Sequence, residues 1–139
     1  MRAYEYRHTI AFEETNLVGN VYYINHLRWQ GRVREMFLRD YAPQVIDELQ
    51  RGLLLVTMRC SCEYLQELYV FDNVVIRMTA GEIAQSRFSM KFEYWRQSGE
   101  TDELVARGEQ QIACMRRENG EMIATTIPLP LREAIDAYT

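Results

Sequence analysis

The amino-acid sequence predicts an α+β domain in which a strongly curved antiparallel sheet wraps one long helix. Three features lead to this prediction: an alternating β-type segment at 3–12, an uninterrupted helical segment at 21–41, and four long β-type runs that follow it. The helix is the only predicted element that can cover the concave apolar face of such a sheet. The chain has 139 residues, which fits a single domain, here predicted to span residues 1–139.

A polar turn separates the first strand from the long helix. Apolar and polar residues alternate over 3–12, which is typical of a strand with one buried face. Residues 13–20 are rich in Glu, Asn, Thr and Gly, and a helix is expected to begin at their end. From 21 to 41 there is no proline, and apolar residues such as Ile24 and Leu27 recur at helical spacing. A helix of about 20 residues would be about 30 Å long.

Most of the remaining chain has β-type sequence. The four runs cover residues 53–65, 70–83, 86–97 and 103–117. They are long for strands, whose usual length is about 5–6 residues, so we expect a strongly curved five-stranded sheet. Two short helices complete the prediction, one at 44–51 between Pro43 and Gly52 and one at 131–138.

The composition excludes several classes of function. The chain carries 16 basic and 20 acidic residues, a net charge of -4, and has no run of Lys and Arg, so nucleic acid is not an expected partner. No stretch reaches the ~18 apolar residues of a membrane span, and residues 1–12 lack the apolar core of a signal peptide. The odd count of 3 cysteines indicates reduced thiols. We therefore expect a cytoplasmic protein that does not bind membranes.

Cysteine and histidine are too sparse for a metal centre. Cys60 and Cys62 are two residues apart on one face of a predicted strand, and only Cys114, His8 and His26 could add ligands. Structural zinc usually takes four such ligands at a different spacing, so we predict no metal and interpret the cysteines as buried side chains on the inner sheet face. Glycine-rich phosphate loops and nucleophile-elbow motifs are also absent from the sequence, so no cofactor is expected.

The segment most suited to chemistry is 14–23, which places polar side chains just before the long helix. The N-terminus of a helix has unsatisfied backbone N–H groups and a partial positive charge, so it can hold the oxyanion that develops during thioester hydrolysis. The other interpretation is that Thr15, Asn16 or Asn20 only caps the helix, as such residues usually do at this place. Sequence spacing alone leaves both interpretations open.

A second polar group lies along the helix itself. His26, Gln30 and Arg34 are four residues apart and therefore share one helix face. This face lies either in solvent or in the crevice between helix and sheet. Gly31 stands beside the line, although glycine costs about 1 kcal/mol relative to alanine inside a helix. The close approach of another backbone or of a ligand would account for this glycine.

These segments resemble a known family. Residues 14–25, Glu-Thr-Asn-Leu-Val-Gly-Asn-Val-Tyr-Tyr-Ile-Asn, are similar to the acid-x-Asp-x-x-Gly-x-Val-Tyr-Tyr-x-Asn signature of hotdog-fold thioesterases of the 4-hydroxybenzoyl-CoA type. The match is closer to one branch, the thioesterases of enediyne polyketide biosynthesis. The chain resembles that branch in Trp29-Gln30-Gly31, Arg34-Glu35, the Cys60-x-Cys62-x-Tyr64 strand and Ala113-Cys114-Met115-Arg116.

The resemblance implies a hotdog fold, with a five-stranded curved antiparallel sheet around one long central helix, in chains that form homodimers or dimers of dimers. It also implies a thioesterase that needs no cofactor. The expected reaction is hydrolysis of a polyene β-ketoacyl thioester on the acyl carrier domain of an iterative enediyne polyketide synthase, which releases a β-keto acid that can decarboxylate. Two alternatives stay open: a general acyl-CoA thioesterase and a non-catalytic acyl-binding subunit of the synthase.

The resemblance also assigns catalytic residues. The family aspartate that acts as nucleophile or general base corresponds to Asn16, whose neutral amide can do neither. The resemblance implies that Asn16 positions the carbonyl group or the attacking water and that Arg34 polarises the β-keto thioester or stabilises the developing oxyanion. The backbone N–H of Tyr23 corresponds to the family's oxyanion donor. Glu35 is the alternative base, and its other expected role is an ion pair or a subunit contact.

Further residues are expected to contact the substrate. They lie in the segment before the helix and along its polar face: Gly19, Asn20, Tyr22, His26 and Gln30. A long apolar tunnel would be flanked by aromatic side chains, for which the candidates are Tyr22, Tyr23, Trp29, Phe88 and Phe92. The alternative is that these aromatic side chains simply form the core.

Overall fold

Six antiparallel strands form one sheet in the computed structural model, which describes residues 2–139. The strands are β1 (Tyr4–Thr9), β2 (Leu53–Tyr64), β3 (Asn73–Ile83), β4 (Arg87–Ser98), β5 (Thr101–Glu118) and β6 (Glu121–Ala124). Their spatial order is β1-β3-β4-β5-β2, and β6 pairs with β5 beside this path. The helices are α1 (Ile24–Tyr41), α2 (Pro43–Leu49) and α3 (Leu129–Asp136), and Phe12–Glu14 forms a 3-10 turn.

Alternation along the strands places apolar side chains on the face that α1 covers. In β4, Met90, Phe92 and Tyr94 are buried, whereas Lys91 and Glu93 between them are exposed. The helix contributes a buried stripe to the same core: Trp29, Val33, Phe37 and Leu38. The predicted α+β class with a curled antiparallel sheet is confirmed.

The sheet has one strand more than predicted. Asn119 and Gly120 both have positive φ values, 51° and 81°, and they close a tight hairpin between β5 and β6. The last strand is predicted to end at residue 117, without this hairpin, because β6 has only 4 residues and all of them are exposed. The prediction of five strands is therefore wrong, because it omits the short strand β6.

The long helix begins later than predicted. It starts at Ile24 and not at residue 21, because Val21 forms a β-bridge with Thr15 and the Tyr22 N–H donates to the Glu14 carbonyl. With 18 residues, α1 is the longest of the three helices between residues 2 and 139. The first strand also ends early, at residue 9 instead of 12, because the chain turns into the 3-10 segment.

The two short helices lie within two residues of their predicted ranges, 44–51 and 131–138. Pro130 occupies the first turn of α3, where a backbone N–H would have no helical partner in any case. None of the helices between residues 2 and 139 is both long and apolar enough to cross a membrane.

Strand β2 forms a free edge of the sheet. Residues 57–61 at its centre are all exposed, and a β-bulge interrupts the pairing with β5 between Thr57 and Arg59. Side-chain contacts give the direction of α1 along this edge. Tyr64 at the end of β2 meets Tyr23, whereas Thr57 nearer its beginning meets Arg34, so α1 runs antiparallel to β2.

Candidate active site

The loop before α1 folds through its own polar side chains. The Asn16 Oδ1 atom accepts from the Val18 N–H at 3.0 Å, and the Asn16 N–H donates to the Asn20 carbonyl at 2.9 Å. Gly19 has a φ of 93°, a value that favours glycine, and its N–H donates to the Asn16 carbonyl at 3.0 Å. Thr15 donates its hydroxyl proton to the Phe12 carbonyl instead of capping α1. The side-chain capping interpretation is therefore wrong.

The N-terminus of α1 is open. The N-cap position is occupied by Tyr23, and no side chain accepts a hydrogen bond there. The N–H of Asn25 donates to Tyr22, but the N–H groups of Tyr23 and Ile24 have no acceptor among residues 2–139. The Tyr64 hydroxyl donates to the Tyr23 carbonyl at 2.8 Å and so fixes this end against β2. Unpaired N–H donors at the positive end of a helix are suited to binding an anion.

Glu14 comes directly before this loop, and its carboxylate is surrounded by hydrogen-bond donors. His8 Nε2 lies 2.8 and 2.9 Å from its two oxygens, and the Trp29 Nε1 and Ala11 N–H groups donate to it at 2.8 and 2.9 Å. Burial alone would raise the pKa of Glu14, but the hydrogen bonds from Ala11, His8 and Trp29 outweigh burial and lower it. Glu14 therefore stays ionised and anchors the loop to α1, with its carboxylate held by three N–H donors.

The polar line on α1 faces the sheet, and the solvated interpretation is excluded. His26 is 3% exposed and Gln30 is 0% exposed. His26 lies in an aromatic cage, with ring centroids of Tyr64 at 4.7 Å, Trp29 at 5.1 Å and Tyr94 at 5.5 Å. Both of its ring nitrogens lack a hydrogen-bond partner among residues 2–139. Burial lowers the pKa of His26 from 6.5 to about 4, so the ring is neutral at pH 7.

The buried His26 makes folding sensitive to acid. The unfolded chain binds a proton on this residue near pH 6.5, whereas the folded chain binds it only near pH 4. The free energy of unfolding is therefore expected to fall by roughly 3 kcal/mol as the pH drops through this window. Tyr64 and Tyr94 line the same cage, but burial raises the pKa of both phenols, so neither titrates there.

Urea denaturation at pH 7 and pH 4.5 measures this effect. His26→Phe keeps an aromatic ring in the cage and removes the titration, so its stability should change much less between the two pH values. An equal loss of stability in the wild type and in His26→Phe would contradict the assignment to His26.

Gln30 ties α1 to the edge strand. Its Nε2 donates to the Ser61 carbonyl at 2.9 Å, directly above Gly108 of β5. Its Oε1 is buried and has no partner among residues 2–139. The side chain therefore holds the helix at a fixed distance from β2.

Arg34 brings a cation into this crevice without a carboxylate to neutralise it. Its guanidinium donates to Thr57 Oγ1 at 2.7 Å, to the Leu55 carbonyl at 2.9 Å and to Gln110 Oε1 at 3.4 Å. No acidic side chain of residues 2–139 lies within 4.0 Å of it. All three acceptors are neutral, so the charge of Arg34 remains available to a ligand oxygen.

A groove of about 490 Å³ opens between α1 and β2 at Arg34. Its volume is that of a small-molecule site. The lining residues are Leu27, Gly31, Arg34, Glu35, Leu38, Leu49, Leu55, Thr57, Cys60 and Gln110. Glu35 and Arg34 both border the groove, although they are neighbours in sequence. We refer to this cavity as the α1–β2 groove.

The structure keeps the two expected catalytic groups apart within one chain. Tyr23 and Arg34 are separated by eleven positions of α1, which corresponds to about 16 Å along the helix axis. Asn16 belongs to the loop before α1, and Arg34 lies beside the first half of β2. A single thioester carbonyl in one protomer therefore contacts only one of the two ends.

The remaining predicted residues occupy different surroundings. Tyr22 is 47% exposed and its ring lies 4.9 Å from that of Tyr23. Asn20 donates to Glu67 at 3.2 Å, while its Oδ1 is buried without a partner in the described chain. Among the proposed tunnel aromatics, those that are buried belong to the core: Trp29, Phe88 and Phe92.

Sequence reasoning missed several side chains that complete the crevice. They are Thr57, Tyr94 and Gln110, which strand pairing brings under α1 together with the backbone carbonyl of Ser61. Gln110 could have been found from its register, because it pairs with Cys60 on the inner face of the sheet. Cys60 itself is exposed and not buried as expected. No three His, Cys, Asp or Glu side chains within residues 2–139 are grouped as metal ligands.

Comparison with protein families decides the classification. A family model described as the thioesterase-like superfamily matches residues 10–136. The chain belongs to the thioesterase-like superfamily. The predicted resemblance to hotdog-fold thioesterases and the prediction of a thioesterase are thereby confirmed at the level of the family.

Individual members of the superfamily add detail. A solved structure of the dynemicin thioesterase, described as showing induced-fit and allosteric effects upon polyene binding, is 42% identical. The match has a TM-score of 0.95 and covers 99% of this chain and 97% of that one. A 1,4-dihydroxy-2-naphthoyl-CoA thioesterase from Synechocystis is 19% identical with a TM-score of 0.84 over 97% and 96% of the two chains, which shows the shared fold.

One curated relative is a 1,4-dihydroxy-2-naphthoyl-CoA hydrolase from Prochlorococcus marinus (strain NATL2A). It is 28% identical over 96 residues, which is 63% of this chain. The match spans 62% of that hydrolase, less than two thirds of its length.

Proposed function

We propose that this protein hydrolyses a polyene β-ketoacyl thioester carried by the acyl carrier domain of an iterative polyketide synthase. The observation that carries the proposal is the open N-terminus of α1, where the N–H groups of Tyr23 and Ile24 have no acceptor within residues 2–139. The 42% identity to the dynemicin thioesterase, which binds a polyene, supports the substrate class. The product is a β-keto acid that can decarboxylate.

The negative charge that develops on the carbonyl oxygen determines the roles of the groups at the N-terminus of α1. Water adds its oxygen to the thioester carbon and gives up one proton, the oxygen of the carbonyl becomes an oxyanion, and the C–S bond then breaks as the sulfur takes up that proton. The Tyr23 and Ile24 N–H groups stabilise the oxyanion. Asn16 already uses Oδ1 to accept from Val18, so its Nδ2 is the atom that donates to the carbonyl or orients the water. No carboxylate is needed to hold the charge.

The site is completed by a second copy of the chain. A long exposed edge such as β2 favours pairing with another strand, and pairing about a two-fold axis is antiparallel. The exposed stretch 57–61 places the axis near the middle of β2. Because α1 runs antiparallel to β2, this pairing brings Arg34 of one protomer beside the Tyr23 end of α1 in its partner. A homodimer, or a dimer of such dimers, thus unites the two groups that a single chain separates.

A second candidate is hydrolysis of soluble acyl-CoA esters, which the Prochlorococcus relative favours because it is a CoA hydrolase. Relative turnover of the same acyl group on CoA and on a carrier domain distinguishes the two. A strong preference for CoA would assign the protein to general acyl-CoA hydrolysis.

Single-turnover release of the polyene from its purified synthase tests the proposal. Product is followed by absorbance and mass spectrometry for the wild type and Asn16→Ala. We expect fast release by the wild type and a loss of about 10²-fold in Asn16→Ala, because one donor to the reacting oxygen is removed. Asn73→Ala is the matched control, since Asn73 is exposed at the start of β3 and its side chain accepts only from Thr9.

Binding of the polyene without release above the spontaneous rate would overturn the enzymatic function. The protein would then be an acyl-binding subunit of the synthase. Equal rates in the wild type and Asn16→Ala would instead move the chemistry away from Asn16.

A further inference from the structure

Gly31 has no structural reason to be a glycine within its own chain. Its φ lies in the ordinary helical range, so the backbone does not need it. A Cβ built at this position meets no atom within 4 Å, so close packing does not need it either. Glycine is a poor residue inside a helix. The space that Gly31 leaves therefore serves something that lies outside the folded chain.

That space is part of the α1–β2 groove. Gly31 lines the groove one helical turn after Leu27 and beside Arg34. The walls are formed by leucines from three elements: Leu27 and Leu38 of α1, Leu49 of α2 and Leu55 of β2. The floor carries the guanidinium of Arg34, which has only neutral acceptors. A groove with leucine walls and a cation whose hydrogen-bond acceptors are all neutral fits an extended apolar chain that bears a carbonyl or carboxylate oxygen, and Glu35 borders the same groove.

We propose that Gly31 determines the acyl-chain specificity of this protein by setting the clearance between α1 and β2. The occupant is the extended acyl chain of the thioester, which passes over Gly31 with its polar end towards Arg34. This inference rests on the proposed function for the identity of the chain. The effect at position 31 is steric: a side chain there fills the groove and excludes a long acyl chain, while a short acyl chain still binds.

Two substitutions distinguish the effect of filling the groove from the effect of stabilising the helix. Gly31→Ala and Gly31→Ser both place a side chain in the groove, but only alanine is a much better helix former than glycine. We expect Gly31→Ala to raise the unfolding midpoint by about 3 °C. Both variants should bind a conjugated tetraene fatty acid about tenfold more weakly than the wild type, measured by its fluorescence.

Turnover gives the second measurement. Hexanoyl and myristoyl thioesters of N-acetylcysteamine are compared for the wild type and both variants. We expect kcat/KM for the myristoyl ester to fall about tenfold while that for the hexanoyl ester changes little. Unchanged tetraene binding and unchanged chain-length preference in both variants would overturn the inference.

Other outcomes separate this inference from the proposed function. If the wild type binds the tetraene and hydrolyses neither ester, and the variants lose binding, the function fails and the role of Gly31 stands. If the wild type hydrolyses both esters and the variants match it, the function stands and the role of Gly31 fails. Light scattering reports whether the variants still form a dimer. Dissociation of both variants, together with equal losses of kcat/KM for the hexanoyl and myristoyl esters, would show that a second copy of the chain occupies the groove instead.

Discussion

Arg34→Ala is expected to lower kcat/KM for the polyene thioester by about 10²–10³-fold, which is the usual effect of removing one preorganised donor to a developing oxyanion. The guanidinium donates only to neutral acceptors, at Leu55, Thr57 and Gln110, so we expect its charge to act on the substrate as well as to hold α1 to the sheet. Steady-state kinetics and the unfolding midpoint are measured together. Arg32→Ala is the matched control, because Arg32 is a largely exposed arginine on the same helix. A threefold loss or less would contradict the role of Arg34.

Mixed dimers test whether Arg34 acts across the subunit interface. Asn16→Ala and Arg34→Ala chains each lack one half of every site. If the halves come from different protomers, refolding the two variants together restores one intact site in each mixed dimer, which gives about a quarter of the wild-type activity. Activity that stays at the level of the separate variants would place both groups in one protomer.

Gly108→Ala is expected to destabilise the fold by about 3 kcal/mol. A Cβ at this position would lie 2.5 Å from the Ser61 carbonyl oxygen and closer still to Gln30 Nε2. The Ser61 oxygen belongs to the backbone of a paired strand, so it cannot move aside without disturbing β2 against β5. Urea denaturation measures the loss. The change would also break the hydrogen bond that holds α1 at its distance from β2.

A second glycine in the same sheet provides the control for Gly108→Ala. A Cβ at Gly81 would lie 3.1 Å from Ser89 Cβ and 3.2 Å from Lys91 Cε, both of them side-chain atoms. Gly81→Ala should therefore cost less than about 1 kcal/mol. Combining Gly108→Ala with Gln30→Ala should recover part of the loss but not the part due to Ser61. Equal stability of the two glycine variants would show that β2 adapts freely.

Most of the fold follows from patterns that are local in the sequence. The two-residue alternation of Tyr4, Tyr6 and His8 predicts β1, and the three- and four-residue spacing after Ile24 predicts α1. The start of α1 does not follow from such patterns. It depends on a β-bridge between Thr15 and Val21, and periodicity carries no information about that pairing.

Some residues of the candidate site can also be predicted from the sequence, whereas the surroundings of others depend on the tertiary structure. The motif points to Asn16 and Tyr23. The spacing of His26, Gln30 and Arg34, however, fits a solvent-exposed helix face and a buried helix face equally well. Only tertiary structure distinguishes them, because the partners come from distant strands. The hydroxyl that meets the His26 carbonyl belongs to Tyr94, 68 positions away in the sequence. No local pattern reports a contact of that range.

The open N-terminus of α1 couples ligand binding to folding. A helix end without a side-chain cap costs about 1 kcal/mol, and the free protein carries this deficit. A carbonyl or oxyanion that accepts from the Tyr23 and Ile24 N–H groups acts as the missing cap, so part of the affinity for the ligand is helix stability regained. A side-chain cap at position 23 would accept from the N–H groups of residues 25 or 26, so it would stabilise the empty protein without occupying the Tyr23 and Ile24 donors. Different N–H groups of the same helix end therefore serve stability and turnover.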